Sequence, residues 1–343
     1  MTLNTIDPIS DARWKEFLDT HPQASIFHTP EWLEALKRTY GYRPCVLTTA
    51  APGAAIENGV VLCEVKSWIT GRRLVGVPFS DHCEPLLADD NERELIASHL
   101  EQEVKRGGWR YVELRPVRAD WTPLVPFEQG EQFHFHRLDL TQSSESLMKG
   151  FSRGSVQRKL RRQRQEGISI ERGRDEKLLE SFYSLFVRTR RRHRLPPPPR
   201  CWFRNLIALL QERLSIDVCF SGGRAIASIL TLRFKDVLYY KYGCSDERFH
   251  RLGGMQALFW NAIQNAKAIE LRIFDLGRTD LANEGLLRFK NGWGAQSSKL
   301  TYLVYPRKPR RLTPTGNSVV GGVKWIPDWM LAAAGTLIYK HVG

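Results

Sequence analysis

The stretch DLGRTDLANEGLLRFKNGWGAQ, Asp275 to Gln296, gathers residue types that could do chemistry. Within it Phe289, Lys290, Trp293 and Gly294 form an F-K-x-x-W-G pattern that sets one ammonium among aromatic groups. A lysine held that way loses solvation and interacts strongly with a phosphate or a developing oxyanion. The plainer alternative is an exposed lysine beside a structural tryptophan. Asp275 closes a strand-like run and Gly277 permits a tight turn, so Arg278 is expected at the carboxyl edge of a sheet, where ligand crevices of α/β folds form.

Just upstream, YYKYGCSDERFHRLGGMQ, Tyr239 to Gln256, places Tyr240 and Tyr242 on a strand expected to shape a cleft. Gly253 and Gly254 follow, immediately before a helical pattern. Backbone N–H groups at such a helix start accept pyrophosphate, although a glycine pair serves equally well as a simple turn. A third element is SVQRKLRRQRQEG, Ser155 to Gly167, which reads as a capped helix with Val156 and Leu160 on its buried side. Arg158, Lys159, Arg161, Arg162 and Arg164 crowd the rest of its surface and repel one another unless an anion binds them. The five cations together are therefore candidate phosphate contacts, with a solvated basic face as the alternative.

Other constellations point less clearly. His134 and His136 alternate on one strand face, but no third residue stands at metal-ligand spacing, so no metal site is expected. His82 and Cys83 are neighbours in sequence, which does not make a catalytic pair. No P-loop, G-x-S-x-G elbow or H-E-x-x-H motif is present, which argues against an ATPase, a serine hydrolase and a zinc protease.

The elements that must position these residues show an internal duplication. In the first half Arg43–Ala50, VVLCEVK, RRLVGVPF, a helical pattern from Glu92 to Lys105, and WRYVELR follow in order. In the second half Leu214–Phe220, IASILTLRF, VLYYKYGC, a helical pattern from Met255 to Lys267, and ELRIFDLG repeat the sequence of types. Each half reads β-β-β-α-β, and two mixed sheets flanked by helices are expected.

The chain has 343 residues, 42% of them apolar and 26% charged, enough for two compact domains. Lys and Arg number 51 against 37 Asp and Glu, for a net charge of +14. Ten of those charges are concentrated between Phe151 and Arg200, where RTRRRHR, Arg188 to Arg194, forms a second basic cluster ahead of the Pro196–Pro199 run. The balance predicts an anionic partner. The six cysteines are scattered without C-x-x-C pairs and read as reduced thiols. No basic segment leading into an apolar stretch opens the chain, and no apolar run reaches the ~20 residues of a membrane span. A cytoplasmic location is expected, with contact at the inner membrane face left open by the Trp325–Tyr339 stretch.

The phrases FHTPEWLEAL, VPFSDHCEPLL, the basic helix SRGSVQRKLRRQRQEGI, and YKYGCSD…DLGRTD…GLLRFKNGWGA resemble the FemAB-like branch of the GNAT acyltransferase superfamily over roughly residues 20 to 306. The resemblance implies an α/β (α+β) fold of two tandem GNAT-like domains, placed here at 1–140 and at 141–306 including the basic helix 152–167, with 307–343 a basic tail and short terminal helix. It implies transfer of an acyl or aminoacyl group to an amine of a cell-envelope or surface-polysaccharide precursor. It also implies that Lys290 with Phe289 serves the acyl-donor end and the tetrahedral intermediate, and that the Arg158 helix contributes to acceptor binding. Asp275 and Arg278 match the family's D-x-G-R turn. His250 to Met255 only partly echoes the GNAT pyrophosphate loop, and the family's helical-hairpin arm is missing. Acyl-CoA and aminoacyl-tRNA are both expected donor substrates, with no tightly bound cofactor. The expected partners are anionic, phosphate-bearing donor and acceptor, with tRNA admitted and DNA not. The competing readings are an RNA-binding module on a degenerate acyltransferase fold and a non-catalytic membrane-surface scaffold.

Overall fold

The computed structural model describes residues 2–118, 121, 124–163, 166–307 and 328–342. Arg164 of the basic helix and Lys324 and Trp325 of the terminal stretch lie outside the described residues. In chain order the elements are β1 (Asn4–Ile6), α1 (Ala12–Thr20), α2 (Pro30–Tyr40), β2 (Arg43–Thr48), β3 (Val60–Ser67), β4 (Gly71–Val75), α3 (Asp90–Lys105), β5 (Tyr111–Leu114) and β6 (Glu128–Asp139). There follow α4 (Ser144–Gly150), α5 (Arg158–Gln163), β7 (Ser169–Gly173), α6 (Glu176–Arg192), α7 (Arg200–Leu210), β8 (Leu214–Ser221), β9 (Arg224–Phe234) and β10 (Val237–Ser245). The chain closes with α8 (Gly254–Ala268), β11 (Ile273–Asp280), α9 (Glu284–Asn291), β12 (Gln296–Tyr305) and α10 (Asp328–Val342).

The duplication is plain in the pairing. β2-β3-β4 is an antiparallel run that returns through α3 to the parallel strand β5, and β8-β9-β10 returns through α8 to the parallel strand β11. A parallel neighbour needs a crossover of this length, which is why a helix separates the last two strands of each repeat. Instead of two separate sheets, however, the described strands form one sheet in the order β1-β2-β3-β4-β5-β12-β6-β11-β10-β9-β8-β7. The join is made by exchange: β6, which precedes the second repeat, pairs with β11 and β12, and β12 pairs back onto β5.

Alternation along the strands splits the core by face. Val61, Cys63, Ile216, Val218 and Leu230 face a large cluster with α1, α2, α6 and α7, which spans both repeats; Trp32 and Trp202 meet edge to face at 5.3 Å within it. On the opposite face Val60, Leu62 and Leu74 pack on α3, while Cys219, Ile229 and Leu238 pack on α8. The basic helix starts at a Ser152 cap, runs as a π-turn over Arg153–Gln157 and continues as α5. It begins two residues before the expected Ser155 and is described as far as Gln163, and Val156 and Leu160 are buried as the spacing predicts.

Candidate active site

The parallel pairing of β10 with β11 lasts for three residue pairs and ends at Tyr239 and Asp275. Beyond that point β10 stays with β9 and β11 stays with β6, so a wedge opens between them. Both strands are bulged at its apex, β10 between Tyr240 and Tyr242 and β11 between Asp275 and Gly277. A bulge adds a residue and shifts the alternation of faces. Tyr240 consequently packs on Phe259 of α8 at 4.8 Å, whereas Tyr242 lies on the other face against Phe203 at 5.2 Å and accepts a hydrogen bond from Trp202 Nε1 at 2.9 Å. Tyr240 and Tyr242, on the strand expected to shape the cleft, therefore face opposite ways.

The loop between β4 and α3 enters the wedge from the first repeat. Val77 and Phe79 hold it in the left-handed region with φ of 52° and 62°, a strained backbone for side chains of these types, costing about 1–3 kcal/mol each. Asp81 at its tip meets Lys241 Nζ at 3.0 Å and lies 3.9 Å from Arg278 Nε, and its carbonyl accepts from Tyr302 Oη at 2.7 Å. Gly277 has φ of 69°, and a Cβ there would come within 3.0 Å of Asp81 Oδ2, so this position requires glycine both for its backbone and for the close approach. Next to it His82 Nε2 meets Asp275 Oδ2 at 3.0 Å, and the other Asp275 oxygen accepts from Gly277 N–H at 2.8 Å, which fixes the β11 bulge.

Burial pushes the Asp81 carboxyl up, but Lys241 and Arg278 outweigh it and hold the group below the usual carboxylate range. Lys241 is pushed down by burial, with Asp81 opposing, and its ammonium lies 5.4 Å from the Phe27 ring and 5.9 Å from Trp32. Arg278 does not project freely from the sheet edge. Its guanidinium donates to Tyr302 Oη at 2.7 Å and stacks 4.2 Å from the Phe133 ring.

Lys290 is 1% exposed and donates to the carbonyls of Gly277 and Arg278 at 3.0 and 2.9 Å. Burial pushes its ammonium down to about 8, with Asp81, Asp275 and Asp280 opposing the shift. It is neither the exposed lysine of the plainer alternative nor a direct lining of the pocket described next. Trp293 is fully buried between Phe151 and Phe259, at 5.0 and 5.3 Å, and is a core residue rather than a ligand contact.

Phe289, adjacent to Lys290 on α9, turns the other way. It meets Phe259 at 4.9 Å and lines a pocket at the start of α8 with Lys159, Ser245, Phe249, His250 and Gly254. Gly253 caps α8 with φ of 76°, and a Cβ on it would meet the Lys159 carbonyl at 3.1 Å, so α5 lies directly against this helix start. A second pocket adjoins the first at Ser245, lined by Arg188, Arg192, Asp246, Glu247 and Arg248. Arg158, Arg161 and Arg162 do not line either pocket; Arg162 pairs with Glu166 at 2.8 Å. Among the described residues of that helix, Lys159 is the cation that reaches the pocket. The structure thus brings Gly254, Phe289 and the basic helix together, with Lys290 one residue away on the far side of α9.

Cys83 Sγ does meet an imidazole, His28 Nε2 at 3.4 Å, but not the His82 beside it in sequence. Ser25 N–H donates to His28 Nδ1 at 3.0 Å, so Nε2 carries the proton and donates it to the Glu84 carbonyl at 2.8 Å, leaving no lone pair for the thiol. Burial holds His28 down at about 4 and pushes the Cys83 thiol well up, so the pair is inert. His136 Nε2 meets Asn291 Oδ1 at 3.0 Å, and among the described residues no cluster of three His, Cys, Asp or Glu could hold a metal. The sequence singled out neither Asp81 nor Lys241, and Lys159 only as one of the crowded cations of its helix; VPFSDH and YKYG were legible as phrases, but only the fold shows that they meet.

Residues 151–291 match the family model described as acetyltransferase (GNAT) domain, a segment running from the π-turn before α5 through Lys290. Among solved structures the chain is similar to FemX, with a TM-score of 0.67 and 14% identity over 88% of this chain and 97% of that one. It is similar to the C-terminal domain (DUF2156) of a putative lysylphosphatidylglycerol synthetase from Agrobacterium fabrum, with a TM-score of 0.59 and 13% identity over 85% and 90% of the two chains. A tandem GNAT protein from the clavulanic acid biosynthesis pathway aligns with a TM-score of 0.54 and 11% identity over 90% and 99%. No curated protein sequence matches. The fold is that of FemX and of the tandem GNAT protein, and residues 151–291 match the GNAT domain model.

Proposed function

We propose that the chain is an N-acyltransferase that moves an acyl or aminoacyl group from a phosphate-bearing donor to an amine of a cell-envelope or surface-polysaccharide precursor. The observation that carries this reading is the division of labour on α9, with Phe289 in the pocket at the α8 start and Lys290 among the charged groups at the wedge. Donor phosphates would lie against the α8 start and Lys159, with Arg188, Arg192 and Arg248 beyond. The acyl carbonyl would then enter the wedge. GNAT domains use acyl-CoA, and the fold shared with FemX and with a putative lysylphosphatidylglycerol synthetase supports keeping aminoacyl-tRNA as the second donor.

In the reaction the amine nitrogen forms a bond to the carbonyl carbon, the C–O electrons move to oxygen, and their return expels a thiolate or a ribose oxygen. The amine proton passes through water to the leaving group. Lys290, bonded to two carbonyls of the β11 bulge, supplies a fixed positive charge beside the developing oxyanion. Asp81, held ionised, orients an incoming ammonium, which gives one proton to bulk water so that its freed lone pair can attack. The test is intact-mass analysis of candidate amine acceptors incubated with acyl-CoA pools and, separately, with charged tRNA. A donor-dependent mass increase supports the reading. Consumption of neither donor, together with salt-sensitive binding of generic RNA, would replace it with the RNA-binding module.

A further inference from the structure

The end of the molecule where β3 turns into β4 leaves large apolar groups in solvent. Trp68 is 86% exposed and Ile69 56% exposed at the tip of this hairpin. Beside it α10 exposes Met330, Leu337 and Ile338, at 44%, 64% and 45%. Met330 and Leu337 are two turns apart, so they lie on one stripe, and His341 continues that stripe to the hairpin, where its ring stands 5.7 Å from Trp68.

This exposure does not come from a loose helix. Tyr339, on the opposite side of α10, is tied to the body: its carbonyl accepts from Tyr42 Oη at 2.9 Å and its hydroxyl accepts from Arg190 at 2.5 Å. At the end of the helix His341 Nδ1 meets Ser67 Oγ at 2.9 Å and its carbonyl accepts from Arg73 at 2.8 Å. Among its described residues the helix turns Tyr339 inward and Met330, Leu337 and Ile338 outward. Around the patch stand Lys66, Arg72, Arg110 and Lys340, all exposed; Glu64 bonds the first two, at 3.0 and 3.3 Å. Arg110 donates to the Thr70 carbonyl at 3.4 Å, which places it at the hairpin tip.

We propose that the β3–β4 hairpin tip and the outward stripe of α10 form a docking surface for an anionic lipid bilayer. Tryptophan and aliphatic groups on a projecting turn insert at the headgroup boundary, and a surrounding set of cations matches anionic headgroups. Among the described residues no helix is long and apolar enough to cross a membrane, so the contact is peripheral. The sequence pointed to Trp325–Tyr339 alone; the hairpin joins it only in the fold. The inference is independent of acyl transfer.

The experiment is flotation of the full chain with vesicles of phosphatidylcholine alone and of phosphatidylcholine mixed with phosphatidylglycerol, beside Trp68→Ser and Leu337→Glu variants. Both positions are exposed, and unchanged thermal melts would show that the variants fold. Binding to the phosphatidylglycerol vesicles, weakened by salt and by about tenfold or more in each variant, is expected. No binding by the native chain, binding by both variants equal to that of the native chain, or a native dimer that either variant dissociates would overturn the proposal.

Discussion

Asp81 and Lys241 meet at 3.0 Å across the junction of the two repeats, one from the β4–α3 loop and the other from the bulge of β10. Their side chains are 18% and 6% exposed, so removal of either partner leaves a largely desolvated charge behind. Asp81→Asn and Lys241→Met should each destabilise the protein by about 3 kcal/mol. The double variant should lose less than the sum, which urea denaturation of all four proteins will measure.

Lys290→Met should lower turnover by about 100-fold while leaving donor binding at the α8 pocket nearly intact, since Phe289 and not Lys290 lines it. Initial rates and donor titration separate the two effects. Activity that needs the ammonium should fall as pH rises through about 8. The stability effect has the opposite sign. Because the fold lowers this group's affinity for a proton, the unfolded chain binds more protons between about 8 and the ordinary lysine range, and the group's contribution to stability rises with pH there. Lys290→Met should remove that rise.

The β-β-β-α-β order was readable because each repeat is built of short β-branched and aromatic runs with one amphipathic helix. The strands that join the repeats were less so. In β6 only the Phe133-His134-Phe135-His136 alternation reads as a strand, after a polar start with Glu128 and Glu131, and β12 begins Gln296-Ser-Ser-Lys before its apolar end. Their pairing depends on partners far along the chain, which no local pattern records. At the site the F-K pair was visible, but which way each residue faces was not. One inserted residue in β10 reverses Tyr242 relative to Tyr240, and Trp293, whose spacing suited a binding role, is taken up by the core.

Asp217 on β8 is fully buried, neither of its carboxylate oxygens has a hydrogen-bond partner among the described residues, and Arg172 on the edge strand β7 stands 3.7 Å away. Burial pushes its carboxyl up to about 6, with Arg172 opposing. The folded chain therefore binds the proton more tightly than the unfolded one, and this group's effect on stability becomes less favourable as pH rises from the ordinary carboxylate range through about 6. Asp217→Leu should raise stability at pH 8 by about 1–3 kcal/mol and by less at about pH 4. Thermal melts at the two pH values give the comparison.

Arg188 and Arg192 of α6 line the pocket that adjoins the α8 start. If the donor is acyl-CoA, replacing both with Gln should weaken CoA binding by about tenfold, a charged hydrogen bond's worth, while binding of dephospho-CoA changes less. Calorimetric titration of both ligands against native and variant protein reads the difference.

Cys201 is exposed, whereas Cys63, Cys83, Cys219 and Cys244 are buried. In the native protein Cys201 should react first with a thiol reagent, and Cys83 should react only on unfolding despite the imidazole beside it. Peptide mapping after brief alkylation checks the order.

The hydrogen-bonded neighbours of β6 both come from later in the chain. A polypeptide halted just after β6 would thus carry a twelve-residue ribbon with two open rows of amides and carbonyls, ready to join copies of itself. The two repeats are dovetailed, and during synthesis β6 must wait for the second repeat before it has anywhere to go.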